Sequence, residues 1–249
     1  MTYCLGILLR AGLVLASDSR SNAGVDQIQR VSKLALFGPA EGRVIAVLSA
    51  GNLATTQSVV SEIGQAMGSG DPLTDIALTV SLYDVAAMVG IRLRNVLQRD
   101  EQFVRPDGDP GASFLVAGQL PGEPPRLFQV YSAGNFIEAS ERSCFLQIGE
   151  TKYGKPILDR ALRFGSSIDH AAKLALLSFD ATIRSNLAVG MPIDLVRYRA
   201  DSFAADLVTL EEDNSYWRAL TEAYSHGLSD LVDRLPSPPS DLSGLDRVG

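Results

Sequence analysis

Residues 1–18, Met1-Thr2-Tyr3-Cys4-Leu5-Gly6-Ile7-Leu8-Leu9-Arg10-Ala11-Gly12-Leu13-Val14-Leu15-Ala16-Ser17-Asp18, admit two readings. An apolar opening of this length imitates a secretory signal. A signal, however, carries its basic residues ahead of the apolar run, whereas here Arg10 interrupts the run and Asp18 follows where cleavage would fall. The alternative is a hairpin. Residues 4–9 and 13–17 are strand-like, and Arg10-Ala11-Gly12 joins them, with Gly12 free to take a positive φ. A turn centred on Ala11 pairs residues whose numbers sum to 22. Asp18 then lies across from Cys4, on the face it shares with Thr2, so that Thr2 and Asp18 are diagonal neighbours at about 7–8 Å.

The pattern beyond this hairpin repeats in blocks. Residues 31–37 and 43–48 form a second strand pair, broken by Gly38-Pro39-Ala40-Glu41-Gly42 and centred near Ala40. After Ser49-Ala50-Gly51 the period becomes helical from Leu53 to about Met67, where Gly68-Ser69-Gly70 ends it. A second helix over 81–99 carries Leu82, Val85, Ala86, Val89, Leu93, Val96 and Leu97 on one face, the signature of a packed surface. Four strands follow (113–117, 127–131, 136–139 and 145–148), then helices over 153–164 and 168–186. Strands at 193–198 and 205–210 and a helix over 214–235 complete the pattern. Strands and helices in segregated blocks favour antiparallel sheets with helices outside them over a βαβ parallel sheet. The reading is therefore α+β: two sheets face to face, each covered by helices, in a single domain over 1–235. Residues 236–249, with Pro236, Pro238 and Pro239, read as a flexible tail.

Composition narrows the partners. The chain has 249 residues, 46% hydrophobic and 20% charged, enough for a substantial core. Twenty-nine acidic against 22 basic residues give a net charge of -7, a field that repels polyanions, so neither nucleic acid nor an anionic membrane surface is expected. No stretch approaches the roughly 18 apolar residues of a membrane helix. Two cysteines, Cys4 and Cys144, do not make the disulfide framework of a secreted domain, and a reducing cytoplasm is the expected setting.

Little sequence is left to carry chemistry. His170 and His226 fall in separate helices beside no nucleophile, which disfavours a serine–histidine–aspartate arrangement. No ligand pair has zinc-type spacing, and neither G-x-G-x-x-G nor G-x-x-x-x-G-K-[ST] occurs, so no metal and no cofactor are expected. The remaining candidate is Thr2. Removal of Met1 alone would make it the first residue, and the hydroxyl of an N-terminal threonine can be activated by its own α-amine, whose reference pKa is about 8. The second hairpin brings Lys33 and Gly51 to the same end of its strand pair. A lysine there would stabilise a developing alkoxide while Asp18 holds its charge in place. Gly51, just before a helix N-terminus, could offer a backbone N–H to an oxyanion. An aspartate ending a strand is ordinarily a turn residue, and a lysine starting one is ordinarily solvated. The convergence of both on Thr2 is what singles them out.

These residues resemble the proteasome β-subunit family of N-terminal nucleophile hydrolases, to which the bacterial HslV peptidases also belong, and most of all the bacterial ancestral-beta-subunit (Anbu) family. The resemblance rests on T-Y-C-L-G-I-L-L from Thr2, L-A-S-D-S-R around Asp18, V-S-K-L around Lys33 and S-A-G-N-L-A around Gly51. It runs through the order of elements over about residues 2–235. It implies a four-layer αββα sandwich, a Thr2 nucleophile activated by Lys33 and Asp18, an oxyanion hole that includes Gly51, and assembly into rings or ring-like spirals acting on peptide or amide substrates. These residues identify no unfoldase or accessory partner. The chain departs from the family pattern twice. Gly149-Glu150-Thr151 stands where a G-S-G turn is usual, and residues 185–190 lack the usual aspartate and serine.

Three functions stay open on this reading. One is a threonine-type peptidase inside a homo-oligomer. Another is an amidase of narrow specificity, suggested by the altered surroundings of Thr2. The last is a ring-forming scaffold without catalysis, suggested by the same departures and by a positive mean hydropathy, +0.10, in an acidic chain.

Overall fold

The computed structural model describes residues 2–22, 28–38 and 42–238. The leading methionine, Ala23, Ala40 and most of the C-terminal tail lie outside the described residues, while 236–238 are irregular and exposed.

Strands β1 (Tyr3–Leu9), β2 (Gly12–Asp18), β10 (Phe145–Gly149), β11 (Ile193–Arg199) and β12 (Ala205–Leu210) form one antiparallel sheet in the order β10-β1-β2-β11-β12. Strands β5 (Leu34–Phe37), β6 (Val44–Gly51), β7 (Ala112–Gln119), β8 (Arg126–Val130) and β9 (Phe136–Glu138) form the second, in sequence order and also antiparallel. Helices α1 (Leu53–Ala66) and α2 (Leu82–Val104) cover the second sheet. Helices α3 (Lys155–Ala161), α4 (Ile168–Ser185) and α5 (Ser215–Asp233) belong to the first.

Strand alternation explains the layering. Tyr3, Leu5, Ile7 and Leu9 of β1 pack with Leu174, Ala175 and Phe179 of α4, while Cys4, from the other face of β1, packs with Leu48 and Leu115 of the opposite sheet. In the second sheet Ile45 and Val47 turn outward onto Val59, Ile63, Val85, Val89 and Leu93. Three buried clusters therefore separate four layers, and the fold is the αββα sandwich of class α+β that the sequence implies. Each long helix starts at a side-chain cap: Asn52, Ser81, Ser167 and Asn214 accept from Thr55, Asp84, His170 and Trp217 N–H.

The structure corrects the sequence reading in two places. The first hairpin turns through Arg10 and Ala11 alone, so Leu9 pairs with Gly12 and paired numbers sum to 21. Ser17 therefore faces Cys4, and Asp18 falls level with Tyr3. In addition, residues 31–37 are not one strand. Short strands β3 (Arg20–Asn22) and β4 (Ile28–Arg30) pair with each other, and the chain changes partners across 31–33 before β5 begins. Ser32 Oγ accepts from Leu34 N at 3.4 Å and lies 3.0 Å from Leu34 O within that break.

Candidate active site

The end of the sandwich where β1 starts and β6 finishes gathers the singled-out residues. Asp18, at the last position of β2, is fully buried, and Lys33, in the break before β5, is 6% exposed. Lys33 Nζ donates to Asp18 Oδ2 at 2.8 Å and to the Arg20 carbonyl at 2.6 Å. The other carboxylate oxygen, Oδ1, accepts the Tyr3 N–H at 2.9 Å, and the Gly190 N–H also faces this carboxylate. An ammonium is thus linked through Asp18 to the backbone of the residue that follows Thr2. Burial pushes the Asp18 carboxyl above its ordinary range, and the Lys33 charge and the backbone donors pull against that rise.

The Thr2 backbone is fixed from the neighbouring strand. Its carbonyl accepts the Glu150 N–H at 2.7 Å, where Gly149 takes φ +82°; a Cβ on Gly149 would lie 1.9 Å from the Thr2 oxygen, so only glycine lets the two strands meet here. Tyr3 then anchors its ring in the helical layer, with its hydroxyl 2.6 Å from Ser178 Oγ and 2.5 Å from Gln147 Nε2. Burial pushes its phenol up to about 12. Cys4 ties β1 to the second sheet: its Sγ donates to Ser49 O at 3.5 Å, and burial raises its thiol well above the usual value. That contact lies two residues inward from both Thr2 and Gly51.

Gly51 ends β6 at φ +116°, and a Cβ on it would meet the Gly111 carbonyl at 2.4 Å. Ladder alternation fixes the side on which its amide lies. Ser49 N–H donates toward β5, to the Lys33 carbonyl at 2.9 Å, and Asn52 N–H donates the other way, to Gly111 O at 2.9 Å. Gly51, two residues after Ser49, directs its N–H to the edge where Lys33 lies. A small cleft of about 110 Å³ opens at that edge, lined among others by Val31, Ser32, Lys33, Ser49, Thr56 and Val60. The β6 end of the site therefore offers a charged ammonium, a backbone donor and a cleft whose lining is otherwise uncharged.

Sequence reasoning missed several participants. The Arg20 carbonyl and the Gly190 N–H are backbone groups with no residue-type signal. Glu150, 6% exposed, accepts from Asn186 Nδ2 at 3.0 Å and from Lys152 N at 3.5 Å. The bond to Asn186 cross-links the two segments that depart from the family pattern. Both cysteines are free.

No family model matches the chain, and no curated protein matches it. Solved structures do. Anbu (ancestral beta-subunit) from Yersinia bercovieri is 42% identical with a TM-score of 0.90, the match covering 96% of this chain and 100% of that one. The Anbu (Gly-1) mutant from Hyphomicrobium sp. strain MC1 is 44% identical with a TM-score of 0.89, over 96% and 100% of the two chains. A chain of the helical assembly of the Anbu complex from Pseudomonas aeruginosa is 46% identical with a TM-score of 0.91, over 96% and 99%.

Proposed function

The chain belongs to the proteasome-related Anbu family, and from that premise we propose that it is a threonine-type hydrolase of peptide or amide bonds, with Thr2 as nucleophile after loss of Met1. The observation that carries this reading is the buried Lys33–Asp18 pair, linked by hydrogen bond to the backbone one residue from Thr2.

In this mechanism Thr2 Oγ attacks the substrate carbonyl while its proton passes to the free α-amine. Lys33 stabilises the oxygen as it gains negative charge, and Asp18 keeps the ammonium charged and pointed. The Gly51 N–H receives the oxyanion. Collapse of the tetrahedral intermediate breaks the C–N bond, and the leaving amine departs with the proton held by the α-ammonium. Water then adds to the Thr2 ester, assisted by the same amine, and releases the acid. The cleft beside Lys33 fits a small uncharged side chain next to the bond that is cut. Assembly into a homo-oligomer, as in the helical assembly from Pseudomonas aeruginosa, would confine such chemistry to an interior surface. A cytoplasmic setting accords with that role.

The test is hydrolysis of a panel of peptide amides differing in that side chain, by protein whose N-terminus has been sequenced. Release of amine from small uncharged members, abolished in Thr2→Ala, is expected.

One observation favours a second reading. Glu150, beside the Thr2 carbonyl, engages Asn186 and puts a carboxylate where the family pattern has a hydroxyl. Such a site suits a narrow amidase, or a scaffold in which assembly outlives turnover. A large particle by light scattering that keeps Met1 and hydrolyses nothing would establish the scaffold.

A further inference from the structure

The Asp18–Lys33 contact is bracketed one residue out on each side. Ser19 follows Asp18, Ser32 precedes Lys33, and both hydroxyls converge on a single oxygen: Asp194 Oδ2 accepts from Ser19 Oγ at 2.9 Å and from Ser32 Oγ at 3.1 Å, the one Ser32 proton being shared with Leu34 O at 3.0 Å. Asp194 Oδ1 accepts from Thr209 Oγ1 at 2.7 Å. Asp194 sits in β11, 7% exposed. Among the described residues it makes no ion pair. A carboxylate taken out of water without a cation is costly, so its presence calls for a role. The hydrogen-bond pattern supplies one. An ionised carboxylate is purely an acceptor and can receive three hydroxyls at once, whereas an amide presents a donor on one side.

The backbone shows why those hydroxyls matter. Ser19 N–H donates to Pro192 O at 2.9 Å, and Val31 N–H donates to Ser19 O at 2.9 Å. The segment carrying Asp18 and the segment carrying Lys33 therefore run side by side, and the second of them is the irregular 31–33 stretch, which belongs to no strand. Backbone bonds hold Val31 to Ser19 and Lys33 to Ser49 on either side of Ser32. Ser32 itself adds a side-chain bond to Asp194, which ties this stretch to β11.

We infer that Asp194 is the positioning residue of the Thr2 site. Through Ser19 and Ser32 it fixes the separation of the two segments, so that Lys33 Nζ meets Asp18, and it touches no substrate itself. This inference rests on the function proposed above only for its catalytic consequence.

The test reads Lys33 directly. The chain has four lysines, Lys33, Lys152, Lys155 and Lys173, so lysine-selective ¹³C,¹⁵N labelling of the full chain gives a side-chain NMR spectrum in which the buried ammonium stands apart. In Asp194→Ala the Lys33 ammonium protons are expected to exchange at least about tenfold faster than in wild type, with the other three lysines unchanged. Asp194→Asn, which keeps one acceptor oxygen but turns a donor toward the remaining hydroxyls, restores only part of the protection. If Asp194→Ala does not fold, Ser19→Ala removes one strut and is expected to speed the same exchange. An unchanged Lys33 signal in whichever of these variants folds overturns the inference. In parallel, the rate at which a β-lactone acylates Thr2 should fall about tenfold or more at saturation, with half-saturation unchanged, as for a misplaced catalytic group. Wild type that is never acylated, with Lys33 loosened in the variants, would sink the proposed function and leave Asp194 standing. Wild type that is acylated, with Lys33 unmoved, would sink the role of Asp194 alone.

Discussion

Lys33 Nζ lies 2.8 Å from Asp18 Oδ2, and the side chains are 5% and 0% exposed. A charge pair this dry is held by its geometry and its extra donors, because desolvation of two ions offsets most of their attraction. The arrangement costs stability that a hydrophobic pair would not, which is the usual mark of a group kept for chemistry.

Removing one partner should therefore hurt more than removing both. Lys33→Met leaves Asp18 buried without its cation and should lower unfolding free energy by about 3–5 kcal/mol. Asp18→Asn together with Lys33→Met should recover part of that loss, read by urea denaturation. A double mutant less stable than Lys33→Met would mean that the pair is not a strained one.

Because Asp18 is pushed upward by burial, it should take up a proton at a pH above the roughly 3.9 of an ordinary aspartate. The folded form then binds this proton more tightly than the unfolded chain. Its contribution to stability is fully present below the unfolded pKa and is lost as pH rises through the folded one. Reactivity of Thr2 runs the opposite way, since protonation dissolves the Lys33 partnership. Followed by the NMR shift of its carboxyl carbon, Asp18 should titrate above the ordinary carboxylate range, and a midpoint at about 4 would contradict it.

Tyr3 makes an alkaline counterpart. Its phenol is shifted from 10 to about 12, and a shift of that size corresponds to about 3 kcal/mol. The folded value is the higher one, so this stability is intact below pH 10 and is lost between 10 and about 12. Chemical unfolding across that interval should show the loss in wild type. It should be missing from Tyr3→Phe, which has no proton to release.

Gly51→Ala tests the backbone at the edge of the site. At φ +116° with the Gly111 oxygen 2.4 Å from an added Cβ, the variant should lose about 2 kcal/mol or more. Gly68→Ala, at φ +80° with nothing within 4 Å, pays only the left-handed penalty of about 1 kcal/mol. Equal losses at both positions would show that the close approach to Gly111 carries no cost.

Much of this was legible in the sequence for definable reasons. Continuous apolar runs such as Leu13–Ala16 and the period-3.6 face of Leu82, Val85, Val89 and Leu93 report burial directly, so the two sheets and their helices follow from pattern alone. Register does not. A turn shorter by one residue moved Ser17 into the place assigned to Asp18, yet the carboxylate still reached its partners because it accepts a backbone N–H. Strands β3 and β4 are three residues each and carry no apolar alternation, leaving nothing to read. Asp194 was hidden for the opposite reason. In Ile193-Asp194-Leu195-Val196 it looks like the polar member of an ordinary half-buried strand, and only folding shows three hydroxyls converging on it.

The central claim is that a free N-terminal Thr2 is the nucleophile, and intact-mass spectrometry of the β-lactone-treated protein addresses it most directly. Ring opening transfers the whole lactone to Thr2 Oγ, so protein lacking Met1 should gain one lactone mass per chain, located on the N-terminal peptide and missing from Thr2→Ala. Protein that begins at Thr2 and gains no mass, or that gains it equally in Thr2→Ala, would contradict the account.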